Sequence, residues 1–197
     1  MTNTIKTLIL AVTALPLAAC ATPYTGPVEV TRFVADDFAT ATTIGTRVNR
    51  DAEGGLPGSP YEQAVADELS RLSYLVNPAN TARQSADIRV ARYRVDKAGR
   101  RSPVSVGVGG GTGTFGSGVG LGVGINLGGG AKPRELTELS VRISGANNTT
   151  LWEGRAEMVT STDAALGNPA ANARALARAL FSGFPGNNGE TIQVDAQ

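Results

Sequence analysis

A glycine-rich stretch in the middle of the chain most strongly limits what this protein can fold into. Thirteen of its 25 glycines lie between residues 107 and 130, and each glycine costs about 1 kcal/mol in a helix relative to alanine. The apolar residues alternate with glycine and would share one face of a strand: Val119, Leu121, Val123, Ile125 and Leu127. The stretch predicts a β-hairpin or a flexible loop, and basic residues bracket it: Arg100, Arg101, Lys132 and Arg134.

Two motifs within this stretch could be taken for other kinds of site. A G-x-G-x-x-G pattern at 111–116 resembles a nucleotide-binding loop, but glycine continues where that loop requires a helix. A GxxxG series at 116–128 is typical of packed transmembrane helices, and the same glycines argue against it. We therefore expect no nucleotide, and we leave open whether an apolar hairpin face contacts lipid or another copy of the chain.

The N-terminus has the three parts of a bacterial secretory signal. Lys6 precedes an apolar run at residues 7–17, which is shorter than the roughly 20 residues that span a bilayer. Leu17-Ala18-Ala19-Cys20 follows as a lipobox, at which the precursor would be cut and Cys20 acylated. The alternative is an ordinary signal peptide in which Cys20 has no role.

This interpretation divides the chain into three parts. We predict a lipoprotein signal peptide at 1–19, a lipidated tether at 20–26, and a single domain at 27–197 with a Gly-rich insertion at 104–131. Position 21 is alanine rather than aspartate, which by resemblance to enterobacterial lipoproteins favours the outer membrane. The expected location is the cell envelope, with the protein facing the periplasm and the membrane bound through Cys20.

The side-chain inventory argues against most enzymes. The chain has no histidine, and its single cysteine is Cys20, so His-dependent triads and Cys/His zinc sites are excluded. Lys and Arg number 18 against 17 Asp and Glu, which implies no polyanionic partner such as nucleic acid. An enzyme would have to use carboxylates, such as Asp36 and Asp37, or serine with Lys97 or Lys132. We expect no catalytic residues, no cofactor and no metal.

Two helices are predicted from their caps. Ser59, Pro60 and Glu62 form a helix start, and Asn77-Pro78 would end that helix. Its apolar face recurs at spacings of three and four: Tyr61, Val65, Leu69, Leu72 and Val76. Asn168-Pro169 opens the second helix by the same logic.

Period-two alternation predicts the strands, at 27–34, 43–48, 86–96, 135–144, 151–160 and 189–194. The strands at 135–144 and 151–160 should pair as a hairpin with one buried and one charged face. The rhythm at 86–96 changes near Val90 and Ala91, which suggests a β-bulge. The pattern as a whole predicts an α+β fold: a mostly antiparallel sheet of five or six strands, two helices packed on one face, and the Gly-rich hairpin or loop as an extension.

Several segments together resemble a known family. They are the lipobox, VEVTRF, SPYEQAVADELSRLSYLV, ADIRVARYRV followed by GVGVGGG and GVGLGVGINLGGG, and the closing FPGNNGETIQV. These resemble the lipoproteins of domain-of-unknown-function family 4136 from Gram-negative bacteria, over nearly all of the chain after the signal peptide. The resemblance implies an envelope lipoprotein with an α+β domain, and it brings no reaction and no catalytic residues.

The sequence thus leads us to expect a non-enzymatic, lipid-anchored envelope protein that binds an envelope partner or forms a homo-oligomer. Two alternatives stay open. One is a membrane-inserting or pore-forming subunit that acts through the Gly-rich hairpin. The other, which the residue types favour less, is a His-free periplasmic hydrolase.

Overall fold

The computed structural model describes residues 23–40, 43–49, 59–77, 81–95 and 133–196. The predicted signal peptide, Cys20 and the Gly-rich insertion lie outside these residues. Within them the fold is α+β, as expected, with two α-helices and one mixed sheet of seven strands. Neither of these helices is long and apolar enough to cross a bilayer.

The strands and helices follow one another along the chain as β1 Val28–Val34, β2 Thr43–Val48, α1 Pro60–Arg71, β3 Leu75–Val76, β4 Gln84–Val95, β5 Arg134–Ser144, β6 Thr150–Ser161, α2 Pro169–Phe181 and β7 Thr191–Val194. Across the sheet the order is β3-β2-β4-β5-β6-β1-β7. The two helices pack against each other, and their apolar sides and one face of the sheet form a single buried core. The opposite face of the sheet, which we call the open face, bears no helix in the described part of the chain.

The sheet has more strands than we expected, and it is mixed rather than nearly antiparallel. β2 runs parallel to both β3 and β4, whereas the remaining pairs are antiparallel. The reason is that α1 and the short β3 lie between β2 and β4 along the chain, and a crossover that includes a helix returns the chain in the same direction. The sequence showed the helix and both strands but not that they pair side by side.

Helix α1 begins as predicted and ends earlier. The Ser59 hydroxyl accepts a hydrogen bond from the Glu62 amide at 3.3 Å. The helix stops at Arg71, Ser73 has a φ of 69°, and Leu75–Val76 then pairs with β2. Leu72 and Val76 still pack against the core. The apolar spacing that suggested a longer helix therefore arises from two segments in succession, the helix and then the strand β3, which both place apolar side chains against the core.

The β-bulge predicted within β4 is wrong. β4 pairs with β5 in unbroken register from Ser85 opposite Ser144 to Val95 opposite Arg134. The inward side of the strand continues past Val90 with Arg92 and Arg94. The apolar residues that alternate with these two arginines therefore lie on the open face. The irregularity occurs instead in the β5–β6 pair, beside Ser144.

An aromatic cluster closes the core where β6 begins and α2 ends. Trp152 is fully buried, as its alternation predicted, and stacks on Phe181 with ring centroids 5.4 Å apart. Phe184 lies 5.1 Å from the Trp152 ring, and the indole N–H donates to the Pro185 carbonyl at 2.9 Å. A side chain at Gly154 would collide with this indole, so the glycine in mid-strand makes room for the tryptophan.

Arg32 is a charged residue on an inward position of β1, and it is only 1% exposed. Its Nε donates to the Leu180 carbonyl at 3.1 Å, and Nη2 donates to the carbonyls of Ala179 at 3.2 Å and Ser182 at 2.6 Å. Nη1 donates to Glu190 Oε1 at 2.7 Å. One guanidinium therefore satisfies the last carbonyls of α2 and binds the turn before β7.

We expect Trp152→Ala to lower the free energy of unfolding by about 3–5 kcal/mol, because it removes a fully buried aromatic side chain. Denaturant titration would measure the loss. Phe33→Ala is the control, since that ring is 40% exposed and its removal should cost much less. Equal effects of the two substitutions would contradict the assigned inward face.

We expect Arg32→Met to destabilise the domain by about 1–3 kcal/mol, because it leaves the buried carbonyls at the end of α2 without their donors. Arg32→Lys should recover little of this, because an ammonium cannot reproduce the planar fork. Arg71→Met is the matched control: Arg71 pairs with Glu68 on the surface of α1, and exposed pairs contribute about 0–1 kcal/mol. Thermal and denaturant melts would compare the three variants.

Candidate functional site

Most of the residues predicted to contact a membrane or partner fall outside the described part of the chain. These are Cys20, Arg100, Arg101, Val119, Leu121, Val123, Ile125, Leu127 and Lys132. Arg134 is described, and it is the first residue of β5. The structure therefore places one predicted contact residue and the strand ends from which the Gly-rich insertion departs.

Arg134 lies where the N-terminal segment joins the sheet, which we call the tether end (residues 24–26, 92–95, 133–136 and 159–161). Three hydrogen bonds join Tyr24 and Ser161. The Tyr24 amide donates to Ser161 Oγ at 2.7 Å, and the Tyr24 carbonyl accepts from the Ser161 amide at 2.8 Å and from Ser161 Oγ at 3.2 Å. The Gly26 amide donates to the Val159 carbonyl at 2.9 Å. The first described residues are thus fixed beside the strand ends that flank the Gly-rich insertion.

A cation–π contact joins the two chain segments at this end. The Arg134 guanidinium lies 4.1 Å from the centroid of the Tyr24 ring. Val95, the last residue of β4, is the register partner of Arg134. Residues 96–132 therefore leave and rejoin the sheet next to the segment that leads back to Cys20.

A buried polar network ties the helices to the tether end. Arg92 Nη2 donates to the Tyr61 hydroxyl at 2.9 Å, and that hydroxyl donates to Asn172 Oδ1 at 3.1 Å. Asn172 Nδ2 in turn donates to the Leu166 carbonyl at 3.0 Å. Burial raises the pKa of the Tyr61 hydroxyl, against the opposing effect of Arg92, so the network stays protonated at neutral pH and holds β4, α1 and α2 together.

The open face of the sheet carries alternating charges. Asp87 accepts from Arg47 at 3.1 Å and lies 3.5 Å from Arg142. Arg155 lies 3.7 Å from Glu138. These cross-strand ion pairs are partly exposed, and each contributes little to stability. The open face is therefore a solvated polar surface on which positive and negative side chains are paired between neighbouring strands.

One row across the open face consists of three carboxylates. Glu157 on β6 is the register partner of both Glu29 on β1 and Glu138 on β5. Arg155 lies 3.9 Å from Glu157. Burial raises the pKa of Glu157. The charges of Glu138 and Glu29 raise this pKa further, and the charge of Arg155 lowers it. Like charges directly opposite destabilise a sheet, so this row stores an unfavourable interaction at neutral pH.

A shallow cleft of about 450 Å³ lies at the other end of the sheet from the tether. Its walls are Asp37, Ala39, Thr40, Arg83, Gln84, Gly145, Thr149 and Leu151. The Gln84 side chain donates to the Ala39 carbonyl at 2.8 Å. Asp37 is the one carboxylate among these described lining residues, which does not provide the acid–base pair that a His-free hydrolase would need.

Metal binding finds no support in the described ranges either. No group of three or more His, Cys, Asp or Glu side chains there could hold a metal ion. The Glu29–Glu157–Glu138 row is not among such groups.

Comparisons with known proteins give distant likenesses. No protein-family model matches the chain, and no curated protein matches it. Among solved structures, the chain is similar to the PelC dodecamer from Paraburkholderia phytofirmans, with 11% identity and a TM-score of 0.47 over 79% of this chain and 95% of that chain. It is also similar to a PDZ domain protein from Parabacteroides distasonis, with 11% identity and a TM-score of 0.49 over 87% of this chain and 38% of that chain. Neither likeness is close enough to transfer a function.

Sequence reasoning missed several residues of these surfaces. Tyr24 lies in the predicted tether but is built into the domain through Ser161. Glu29, Glu138 and Glu157 lie on three different strands, and only their register brings them into one row. The outward position of each glutamate follows from alternation, whereas strand order and register cannot be read from one strand at a time.

The carboxylate row predicts a pH-dependent stability. Because the pKa of Glu157 is raised in the folded protein, its ionised form costs stability, and that cost disappears as pH falls through the folded pKa. Glu157→Gln should therefore raise the melting temperature at pH 7, and its advantage over wild type should vanish as pH falls to about 4.

Glu190→Gln is the control of opposite sign. The hydrogen bond from Arg32 lowers the pKa of Glu190 below 4.5, so its ionised form stabilises the fold above that pH. Glu190→Gln should lower the melting temperature at pH 7, and the difference should close only as pH falls below about 4. Thermal melts of both variants from pH 7 to pH 3 check the direction of each change in melting temperature. A lower melting temperature for Glu157→Gln than for wild type at pH 7 would contradict the prediction for Glu157.

Proposed function

We propose that this protein is a non-enzymatic, lipid-anchored protein of the Gram-negative envelope. Its role is to present a rigid α+β domain to an envelope partner or to another copy of itself. The observation that supports this most directly is how near the predicted acylation site lies to the fixed part of the domain. Cys20 is three residues from Pro23, and three residues span at most about 11 Å.

So short a connection would restrict how the domain stands on a membrane. Tyr24 and Gly26 are hydrogen bonded into the end of the sheet, so little slack is left between acyl chains and domain. The tether end would face the leaflet, and the strands would run away from it. Both the open face and the helical layer would then be accessible from the side.

The open face is the surface that we assign to a partner. The described helices do not cover it, and Phe33 and Tyr93 are 40% and 36% exposed on it. Aromatic side chains are enriched at protein–protein interfaces relative to the rest of the surface. The partner would be an envelope protein or a second copy of the chain, facing the periplasm.

The two alternatives from the sequence receive less support. A membrane-inserting or pore-forming subunit would act through residues 104–131, which lie outside the described part of the chain. A hydrolase would need convergent catalytic groups, and the cleft described above brings one carboxylate, Asp37, into its walls. A binding role needs neither feature.

We expect Cys20→Ser to abolish acylation, because the thioether requires the cysteine sulfur. Wild-type protein should incorporate radiolabelled palmitate and fractionate with membranes, whereas the variant should stay unlabelled as an unprocessed or soluble periplasmic species. Incorporation of palmitate into the Cys20→Ser variant would contradict the lipobox.

A photo-crosslinking amino acid at single positions in the native envelope would test the partner-binding role. A crosslinker at Phe33 should give a discrete adduct. One at Arg174, which is exposed on α2, is the matched control and should not give that adduct. If the crosslinker at Phe33 gives no adduct in membranes where the protein is acylated, a partner on the open face is contradicted.

A further inference from the structure

Two arginines at the tether end have no ion-pair partner among the described residues. Arg94 is exposed near the end of β4, and Arg134 is half-buried at the start of β5. Arg92, their neighbour, does have a partner, since it lies 3.9 Å from Glu135. Arg94 lies opposite Glu135 and Arg134 lies opposite Val95 in the β4–β5 register. The tether end therefore presents two guanidinium groups without ion pairs to described residues, one on each face of these adjacent strands.

Aromatic side chains accompany these cations. The Arg134 guanidinium lies over the Tyr24 ring, with its Cζ 4.1 Å from the ring centroid. A guanidinium stacked in this way keeps its in-plane N–H groups available for acceptors such as phosphate oxygens. Tyr93, one residue before Arg94, is 36% exposed. Tyrosine rings beside basic side chains are typical of protein surfaces at membrane–water interfaces.

We propose that the tether end is a foot that binds anionic lipid headgroups, with Arg94 and Arg134 as phosphate contacts and Tyr24 and Tyr93 at the headgroup level. This rests on the proposed lipid anchor, which places the same end of the domain at a leaflet. The foot fixes how the domain stands, whereas the acyl chains determine only that it stays attached. Its ligand is the anionic leaflet surface rather than a free phosphate.

The charge balance at this end is modest but positive. Among the described residues of the tether end, Arg92, Arg94 and Arg134 stand against one carboxylate, Glu135, and Asp163 follows just after β6. A cation near an anionic leaflet strengthens binding by about fivefold, and salt screens the effect over about 10 Å. The foot should therefore bind weakly by itself and orient strongly once the anchor holds it in place.

Vesicle flotation tests this with the whole chain that follows the signal peptide, starting at residue 20 and carrying Cys20→Ser so that acyl chains do not mask the protein's own affinity. The vesicles are phosphatidylcholine alone, or phosphatidylcholine with about one-third phosphatidylglycerol, at low and high salt. The test variant is Arg94→Glu with Arg134→Glu. The control is Arg83→Glu with Arg174→Glu, which changes the net charge equally at exposed positions away from the foot.

The unmutated protein should float with the anionic vesicles, and added salt should reduce its binding. The foot variant should bind at least about 25-fold more weakly, since two cations are lost, while the control loses much less. Inorganic phosphate at millimolar concentration should not displace the protein, because the ligand is the leaflet surface. Circular dichroism melts confirm that all variants are folded.

Equal losses for the foot variant and its control would overturn the foot, since general charge would then explain the binding. Unchanged binding of the foot variant would overturn it as well, as would binding that disappears only when residues 96–132 are replaced by a short linker. The anchor is tested separately by palmitate labelling of the wild-type protein. A protein that is labelled with palmitate but does not bind vesicles through the foot can therefore be distinguished from one that binds vesicles but is not labelled.

Discussion

The arrangement of this domain depends on one buried guanidinium. Arg32 sits in a strand facing the core, where an unpaired charge would be very unfavourable, and the structure surrounds it with acceptors from two directions. The end of α2 supplies three carbonyls, which carry the negative end of the helix dipole, and Glu190 supplies a carboxylate. Gly186, at a φ of 78°, passes so close to this pair that a side chain there would collide with it. The end of α2, the turn at 186–190 and the pairing of β7 with β1 are consequently set by a single side chain.

Local sequence signals predicted those parts of the fold that depend on local interactions. Both helix starts follow from a capping side chain followed by proline, and the β5–β6 hairpin follows from alternation across a short turn. Parts that depend on distant contacts were missed. Nothing near Leu75 distinguishes a last helical turn from a short strand until β2 is beside it. Arg32 breaks the apolar alternation of β1 and resembles an outward residue, because the carbonyls that make its burial favourable lie about 150 positions away.

The same division applies to the candidate site. Arg134 could be singled out from the sequence because basic residues bracket the glycines. Its stacking on Tyr24 joins segments separated by more than 100 residues, and no local pattern predicts it. Which cations form ion pairs cannot be read from the register alone: Arg94 is the register partner of Glu135, yet the ion pair to Glu135 comes from Arg92, two residues earlier on the same strand. Charge on a strand can be read from sequence, whereas its compensation by neighbouring strands cannot.

The unbroken pairing of β4 with β5 has a consequence for how this protein can change. The register holds up to Val95 opposite Arg134, so the ends of the segment between them are clamped by the sheet whatever that segment contains. The entropy of closing a loop grows only logarithmically, by about 0.6 kcal/mol for each doubling of length. Evolution could therefore lengthen, shorten or rewrite residues 96–132 with little effect on the fold, and an engineer could exchange them as a cassette. The domain would serve as a constant frame for a variable insert.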